Sequence, residues 1–383
     1  MTSALVTLAV TFLLLPLLFT ALDAVPGMRA KRIRSPEGEM LPEDDFEILV
    51  PIYGSVAYLE NVEYLSGYAD KVVLCTTDAE TPEFNSDLDL VATSHGFRIF
   101  RGHVSAGPGG GGRRNTGGTI RDRLVRDALA VVSAGNVVCI DADTVSQRSL
   151  AELVGEMVAR DFDIVSVRLV PANSSGVLAR LQAHEYRLAM SLRRLAPWLL
   201  SGACHAARTN VLRTIMNRHS LFFQGNDVET GVIGDALGFR VGHIPFEVQT
   251  TVPAAVRPWL RQRLAWSGGE FRLFIVNIRL MWRHPLLWLY GSVVVIVGAP
   301  LRWLSASNFG ASLAFVACLY LVLTVYLNWH ARDRWLALMP LYMAFSSLIL
   351  TPLGLIAYLT MTASSRNAGI IRARPSPDVA VVR

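Results

Sequence analysis

Charge is scarce in this sequence: only 17% of its 383 residues are Asp, Glu, Lys or Arg, against 52% that are hydrophobic. A chain so apolar is not expected to be one ordinary soluble domain, and reads as a soluble domain joined to membrane segments. Cysteine is scarce too. Cys75, Cys139, Cys204 and Cys318 lie far apart with no Cys-x-x-Cys pair, so neither a disulfide framework nor a zinc cluster is signalled, as suits a reducing cytosolic compartment. A P-loop is also missing. The glycine-rich run 107–118, "GPGGGGRRNTGG", has neither the P-loop spacing nor its terminal Lys-Ser/Thr, and is expected to be a linker loop. The net charge of +5 sits mainly in arginine clusters beside apolar runs. That pattern suits an anionic membrane surface and anionic substrates, and argues against nucleic acid as a partner.

The apolar residues gather in long runs. Residues 4–22 carry no charge and are followed by Arg29, Lys31, Arg32 and Arg34, the charge order of an uncleaved anchor with its basic flank in the cytosol. Three further runs, 285–304, 309–328 and 336–362, close the chain, and the last contains Pro340 and Pro352, which suggest a broken or re-entrant segment. The expected organisation is therefore an anchor (1–28), a cytosolic domain (29–252), interfacial amphipathic helices (253–284), a membrane bundle (285–363) and a polar tail (364–383). This places the protein in the cell membrane as a multi-pass chain in contact with lipid.

Between about 45 and 250, short β-rich runs at 46–52, 71–75, 97–100, 136–140 and 163–170 alternate with stretches of helical period such as 120–132 and 149–160. Continuous apolar strands alternating with helices imply an α/β fold with a mostly parallel sheet covered on both faces. Ligands of such sheets bind at the carboxyl ends of the strands. Asp141 and Asp143, in "VVCIDADT" (137–144), stand just past such an end. Two acids in a turn are usually just solvated, but after a buried strand they are hard oxygen ligands suited to Mg²⁺ or Mn²⁺ on a substrate's phosphates.

Two further elements are weaker alone. In "FFQGNDVETG" (222–231), Asp227 and Glu229 fall where a helix should start. Capping by Asn226, with acids favoured in the first turn, explains them structurally. A carboxylate that accepts a proton from an attacking hydroxyl explains them chemically. In "QRLAW" (262–266), Gln262 and Trp266 share a helix face, offering a flat apolar ring with a hydrogen-bonding neighbour.

Taken together and in this order, these elements resemble the processive family 2 glycosyltransferases, the hyaluronan, cellulose and chitin synthases and their bacterial relatives. The resemblance covers roughly residues 46–285. "ILVPIYG" (48–54) looks like the family's opening strand, "CIDADT" its Asp-x-Asp strand end and "SGACHAAR" (201–208) its acceptor-side segment. "GND" (225–227) stands at the position of its base, and "QRLAWSGGEFR" (262–272) resembles its Gln-x-x-Arg-Trp helix. The resemblance implies a GT-A fold, a mixed Rossmann-like sheet, with transmembrane helices at both ends. It also implies an inverting, metal-dependent transfer from a nucleotide-sugar, a UDP-sugar by preference, to a growing polysaccharide.

In that reading Asp143, supported by Asp141, holds Mg²⁺ or Mn²⁺, and Asp227 is the base. Ser201, Gly202 and Trp266 position the acceptor, while Arg121 and Gln262 steady the departing diphosphate. Asp78 is the acid nearest the nucleobase. Two departures stand out: Ala265 replaces the family's arginine, and Asn226 replaces an acid. Arg261, four residues before Ala265, shares its face and is expected to supply the missing charge, whereas Arg263 points elsewhere. Polymer extension coupled to export, with self-association to complete a pore, is the leading reading. Addition of one sugar to a lipid-linked acceptor keeps the same chemistry, and an inactive nucleotide-sugar-binding membrane protein is the third.

Overall fold

A computed structural model describes residues 43–102, 117–193, 198–219, 225–281 and 333–364, with isolated positions between 311 and 326. The chain divides into two units, one built from Glu39–Leu169 and Pro197–Thr250, the other from Val170–Ala196 and Thr251–Thr362.

The first unit is organised by one sheet. Strands β1 (Phe46–Pro51), β2 (Val72–Thr77), β3 (Arg98–Gly102), β4 (Asn136–Ile140), β5 (Ile164–Pro171), β6 (Cys204–Arg208) and β7 (Val241–Thr250) lie in the order β3-β2-β1-β4-β6-β5-β7. β1, β2 and β4 are buried along their whole length, which is why they read as unbroken apolar runs. β2 and β4 both pair with β1 in parallel, β3 pairs with β2 in parallel, and β6 is antiparallel to β4 and β5. The chain therefore builds outward from β1 in one direction and resumes on its other side with β4. That reversal opens a crevice at the carboxyl ends of β1 and β4, the place where such sheets bind ligands. Because β6 runs antiparallel with Ile140 opposite Cys204, the Ser201–Gly202 loop that precedes it arrives at the same end.

Helices α1 (Val62–Ser66), α2 (Pro82–His95), α3 (Gly117–Ala128) and α4 (Leu150–Ala159) belong to this unit. α4 begins with a capping box in which Ser149 and Glu152 satisfy each other's backbone amides. α3 lies against β1, β2 and β3, and α4 against β4, β6 and β7. Their buried Leu124, Val125, Leu150, Leu153 and Val154 each contribute on the order of 1.5–3 kcal/mol. β6 and β7 are not apparent in the sequence pattern. β6, "CHAAR", has no β-branched residue, and β7 carries Pro245, tolerated because β7 is an edge strand.

The second unit contains α5 (Val177–Leu192), α8 (Val256–Val276), α9 (Ile278–Met281), α10 (Met339–Phe345) and α11 (Thr351–Ser364). The intervening α6 (Thr209–Met216) and α7 (Asn226–Ala236) belong to the first unit. Leu181, Trp259, Leu336, Met339, Tyr342 and Leu350 form the second unit's core.

The expectation of transmembrane helices at both ends, and with it a multi-pass membrane location, is corrected here. Among the described residues no helix is long and apolar enough to cross a membrane. The apolar run 336–362 is divided among a 3₁₀ turn (Arg334–Leu338), α10, a π turn (Ser346–Leu350) and α11. Pro340 and Pro352 fall at the second positions of α10 and α11. α8 is longer, but Arg257, Arg261, Arg263, Glu270 and Arg272 interrupt it. The runs 4–22 and 285–304, most of 309–328, and residues 103–116 of the glycine-rich stretch lie outside the described residues.

Candidate active site

The turn after β4 is held from its backbone. The Asp141 amide donates to the Ala203 carbonyl (2.8 Å) and the Thr144 amide to the Asp141 carbonyl (3.1 Å). Buried Asn61 donates through Nδ2 to the carbonyls of Asp141 (3.0 Å) and Thr144 (2.8 Å). The amides of Glu60 and Asn61 both reach the Ala142 carbonyl, at 2.9 and 3.1 Å. With its carbonyls taken up from below, the turn leaves two carboxylates at the strand end. That of Asp143 accepts from the Thr144 hydroxyl (3.1 Å) and weakly from that of Thr250 (3.4 and 3.5 Å). Burial pushes the Asp143 carboxyl above the usual range, and the neighbouring charge of Asp141 pushes it further.

Arg121, on α3, meets this end with one guanidinium and three partners. Nε donates to Asp141 Oδ1 (2.6 Å), Nη1 to Asp122 Oδ1 (2.8 Å) and Nη2 to the Gly202 carbonyl. Burial works against its charge, but Asp141 and Asp122 outweigh that and hold the guanidinium fully protonated. The same residue helps keep its neighbour His205 neutral: burial, and then the Arg121 charge, push that imidazole down to about 4. Tyr53, just past β1, is pushed up to about 12 by burial, partly offset by Arg121 and reinforced by Asp141.

Against Gly202 stands Asp227. A β-carbon at Gly202 would lie 3.3 Å from Asp227 Oδ2, so the carboxylate rests directly on the glycine backbone. Asp227 is carried by the first turn of α7, which is unusually well anchored. The helix cap is Gly225, not Asn226, which corrects the capping reading of that asparagine. Asn226 instead turns inward and donates from Nδ2 to Asp122 Oδ2 (2.7 Å). Its carbonyl accepts from His219 Nε2 (2.8 Å) and the Thr230 hydroxyl (2.9 Å), while His219 Nδ1 lies 3.2 Å from Glu229 Oε2. Further along α7, Gly231 abuts the Trp198 carbonyl so closely that a β-carbon would lie 1.9 Å from its oxygen. Gly231→Ala is expected to destabilise the protein by about 3 kcal/mol or more, read as a lowered urea midpoint.

The structure thus brings Arg121, Asp141, Gly202 and Asp227 together, with Asp143 at the same strand end. Ser201, beside Gly202, is buried, and its hydroxyl has no hydrogen-bond partner among the described residues. Asp78 is exposed at the carboxyl end of β2, its amide donating to the Gly102 carbonyl (3.1 Å).

Gln262, Arg261 and Trp266 lie on α8 in the second unit. There Arg261 is exposed and Gln262 half-buried. Arg263 is buried and committed to Glu185 through both Nη1 (2.8 Å) and Nη2 (2.7 Å). Its guanidinium also sits 4.5 Å from the centre of the Trp266 ring, fixing the orientation of a ring that is still 37% exposed. Sequence reasoning missed Asn61, Asp122, His219 and Tyr53. Asn61 and Asp122 act through partners 80 or more residues away in sequence, His219 through the Asn226 carbonyl seven residues on, and only Asp122, next to Arg121, had a local signal.

Comparison with known proteins agrees with this architecture. A mannosyltransferase from Pyrobaculum calidifontis, solved in complex with GDP-Man and Mn²⁺, shares the fold with a TM-score of 0.56 at 16% identity, covering 90% of this chain and 99% of that one. An N-acetylglucosaminyltransferase of Azorhizobium caulinodans is 27% identical over 172 residues, 40% of this chain and 43% of its own. One from Bradyrhizobium diazoefficiens is 28% identical over 169 residues, 39% of this chain and 34% of its own. The chain thus spans less than half the length of these curated relatives. The family model described as glycosyl transferase family group 2 matches residues 136–361, from β4 through the strand-end acids and α7 into α11. By that match, the chain belongs to glycosyl transferase family group 2.

Proposed function

We propose that the protein transfers a sugar from a nucleotide-sugar to the hydroxyl of a saccharide acceptor, with inversion at the anomeric carbon and with the help of Mg²⁺ or Mn²⁺. One observation carries the reading. Arg121 grips Asp141 and the Gly202 carbonyl with one guanidinium, while Asp227 rests against the α-carbon of the same glycine. A strand-end acid and a helix-borne acid therefore converge on a single backbone segment, as a donor diphosphate and an incoming hydroxyl require.

The donor set fits a divalent ion. Asp141 and Asp143 present hard oxygens, and Asp143 is buried enough beside a second carboxylate to be pushed towards its protonated form, a tendency that a bound cation reverses. Among the described residues no group of three or more His, Cys, Asp or Glu gathers as a cage, which suits a metal that takes one or two carboxylates plus substrate phosphates. When bound, such an ion supplies charge neutralisation for the leaving diphosphate.

The chain's own residues do the rest. Arg121, already engaged on three sides, holds the crevice wall rigid and adds positive charge where the diphosphate departs. Asp227 takes the proton of the attacking hydroxyl, and the Ser201–Gly202 backbone positions that acceptor against it. On α8, the exposed face of Trp266 offers a flat surface for a sugar ring, with Gln262 a hydrogen-bonding group and Arg261 an exposed cation for an anionic ligand. Asp78, at the exposed end of β2, is assigned to the nucleobase. The relatives' names make N-acetylglucosamine the first donor sugar to try.

The test is to incubate purified protein with a panel of labelled nucleotide-sugars in Mn²⁺, Mg²⁺ or chelator, and to size the product. Transfer that disappears with chelator and in Asp143→Asn is expected. A ladder of lengths supports polymer extension, and a single product supports one addition to a lipid-linked or other acceptor. No transfer from any donor sinks the reading.

A further inference from the structure

We propose that Asp122 is a positioning residue that ties Arg121 to the helix bearing Asp227, and that Asp122 and Asn226 form a matched acid–amide pair whose members can be exchanged but not duplicated. As far as it concerns turnover, this rests on the reaction proposed above.

Asp122 is a buried carboxylate whose two oxygens have separate duties. Oδ1 accepts from Arg121 Nη1 (2.8 Å) and Oδ2 from Asn226 Nδ2 (2.7 Å). Asp122 and Asn226 are only 7% and 3% exposed, so water cannot replace either bond cheaply. Arg121 carries the connection on to Asp141. A continuous line of side chains, Asp141, Arg121, Asp122 and Asn226, therefore runs from the strand end to the residue immediately before Asp227. The middle place suits a carboxylate because it only accepts, and both its neighbours here donate.

The same geometry accounts for the amide at position 226. An acid there would face the Asp122 carboxylate at hydrogen-bond distance with little solvent to screen it, and the two could not both ionise. An amide at both positions would leave no acid between Arg121 and α7, whereas one acid and one amide in either order keep one there. One acid and one amide supply both bonds of the line, from Arg121 to position 122 and between positions 122 and 226, and either order does so. In the exchanged pair, the amide oxygen at position 122 can accept from Arg121 while the amide nitrogen donates to the acid at 226. Net charge is unchanged. The exchange thus separates a positioning role from a general need for buried charge.

The experiment compares the wild-type protein with Asp122→Asn, Asn226→Asp and the double variant, measuring thermal melting, kcat and donor KM. Each single variant is expected to melt lower and to lose about 10²-fold in kcat through misplacement of Asp227, with Asp122→Asn also raising the donor KM through Arg121. The double variant is expected to recover its melting point and to return to within about tenfold of wild-type kcat, the non-additivity of a directly coupled pair. Melting reads the pairing without any donor. A wild-type protein silent in transfer but with a rescued double in melting would therefore count against the proposed reaction and for the pair. Single variants with wild-type kcat and melting overturn the proposal. So does a double variant no better than the worse single one in both readouts.

Discussion

Asp227→Asn is expected to lower turnover by about 10²–10⁴-fold, the range for removing a positioned general base, while leaving the fold intact. The substitution keeps the side-chain shape where it rests on Gly202, and three anchors of its helix lie at other residues. They are the Asn226–Asp122 bond, His219 on the Asn226 carbonyl, and the contact of Gly231 with Trp198. An amide in that place can still hydrogen-bond an acceptor hydroxyl but cannot take its proton. Initial rates at saturating donor, with a melting curve as control, check this. A loss under tenfold with unchanged melting means that another group removes the proton.

Arg121→Met is expected to cost about 3–5 kcal/mol of stability and to abolish transfer. Methionine fills much of the volume but strands what the guanidinium served: the carboxylates of Asp141 and Asp122 and the carbonyl of Gly202. Removing one partner of a buried ion pair leaves the other charge uncompensated, which is where the size of the loss comes from. Asp141 keeps more exposure than Asp122, with side-chain values of 34% against 11%, so most of the cost arises at Asp122. Arg121→Lys is the informative control, because an ammonium can serve one carboxylate well but cannot span three partners in a plane. Urea unfolding of both variants measures the effect. Losses under about 1 kcal/mol for Arg121→Met, the range of an exposed pair, would show that the clamp is not structural.

The parts of the fold legible in the sequence are those governed by local pattern. β1, β2 and β4 are buried on both faces, so their sequences are unbroken apolar runs. Asp141 and Asp143 can be singled out because they follow such a run directly. β6 leaves no such trace because Ala and Cys pack well inside a sheet without favouring strand. The pairing at the site is hidden for a different reason. Asn61 reaches its carbonyl partners across 80 and 83 residues of sequence, and Asn226 reaches Asp122 across 104, distances over which no periodicity speaks. Asparagine before an acidic turn usually caps the helix, yet the cap here is Gly225. The membrane expectation fails where it can be tested because hydropathy counts apolar residues without seeing whether one helix carries them. In 336–362 the run passes through a 3₁₀ turn, α10, a π turn and α11 instead of one regular α-helix.

The most direct measurement is calorimetric titration of UDP-N-acetylglucosamine, or of whichever donor the panel selects, into wild-type, Asp143→Asn and Asp227→Asn proteins, with and without Mn²⁺. Metal-enhanced donor binding should be present in the wild type, lost in Asp143→Asn and retained in Asp227→Asn, because in the proposed reaction one acid serves the donor and the other the acceptor. Equal binding by the wild type and Asp143→Asn in Mn²⁺, or loss of donor binding in Asp227→Asn, would contradict that division of labour.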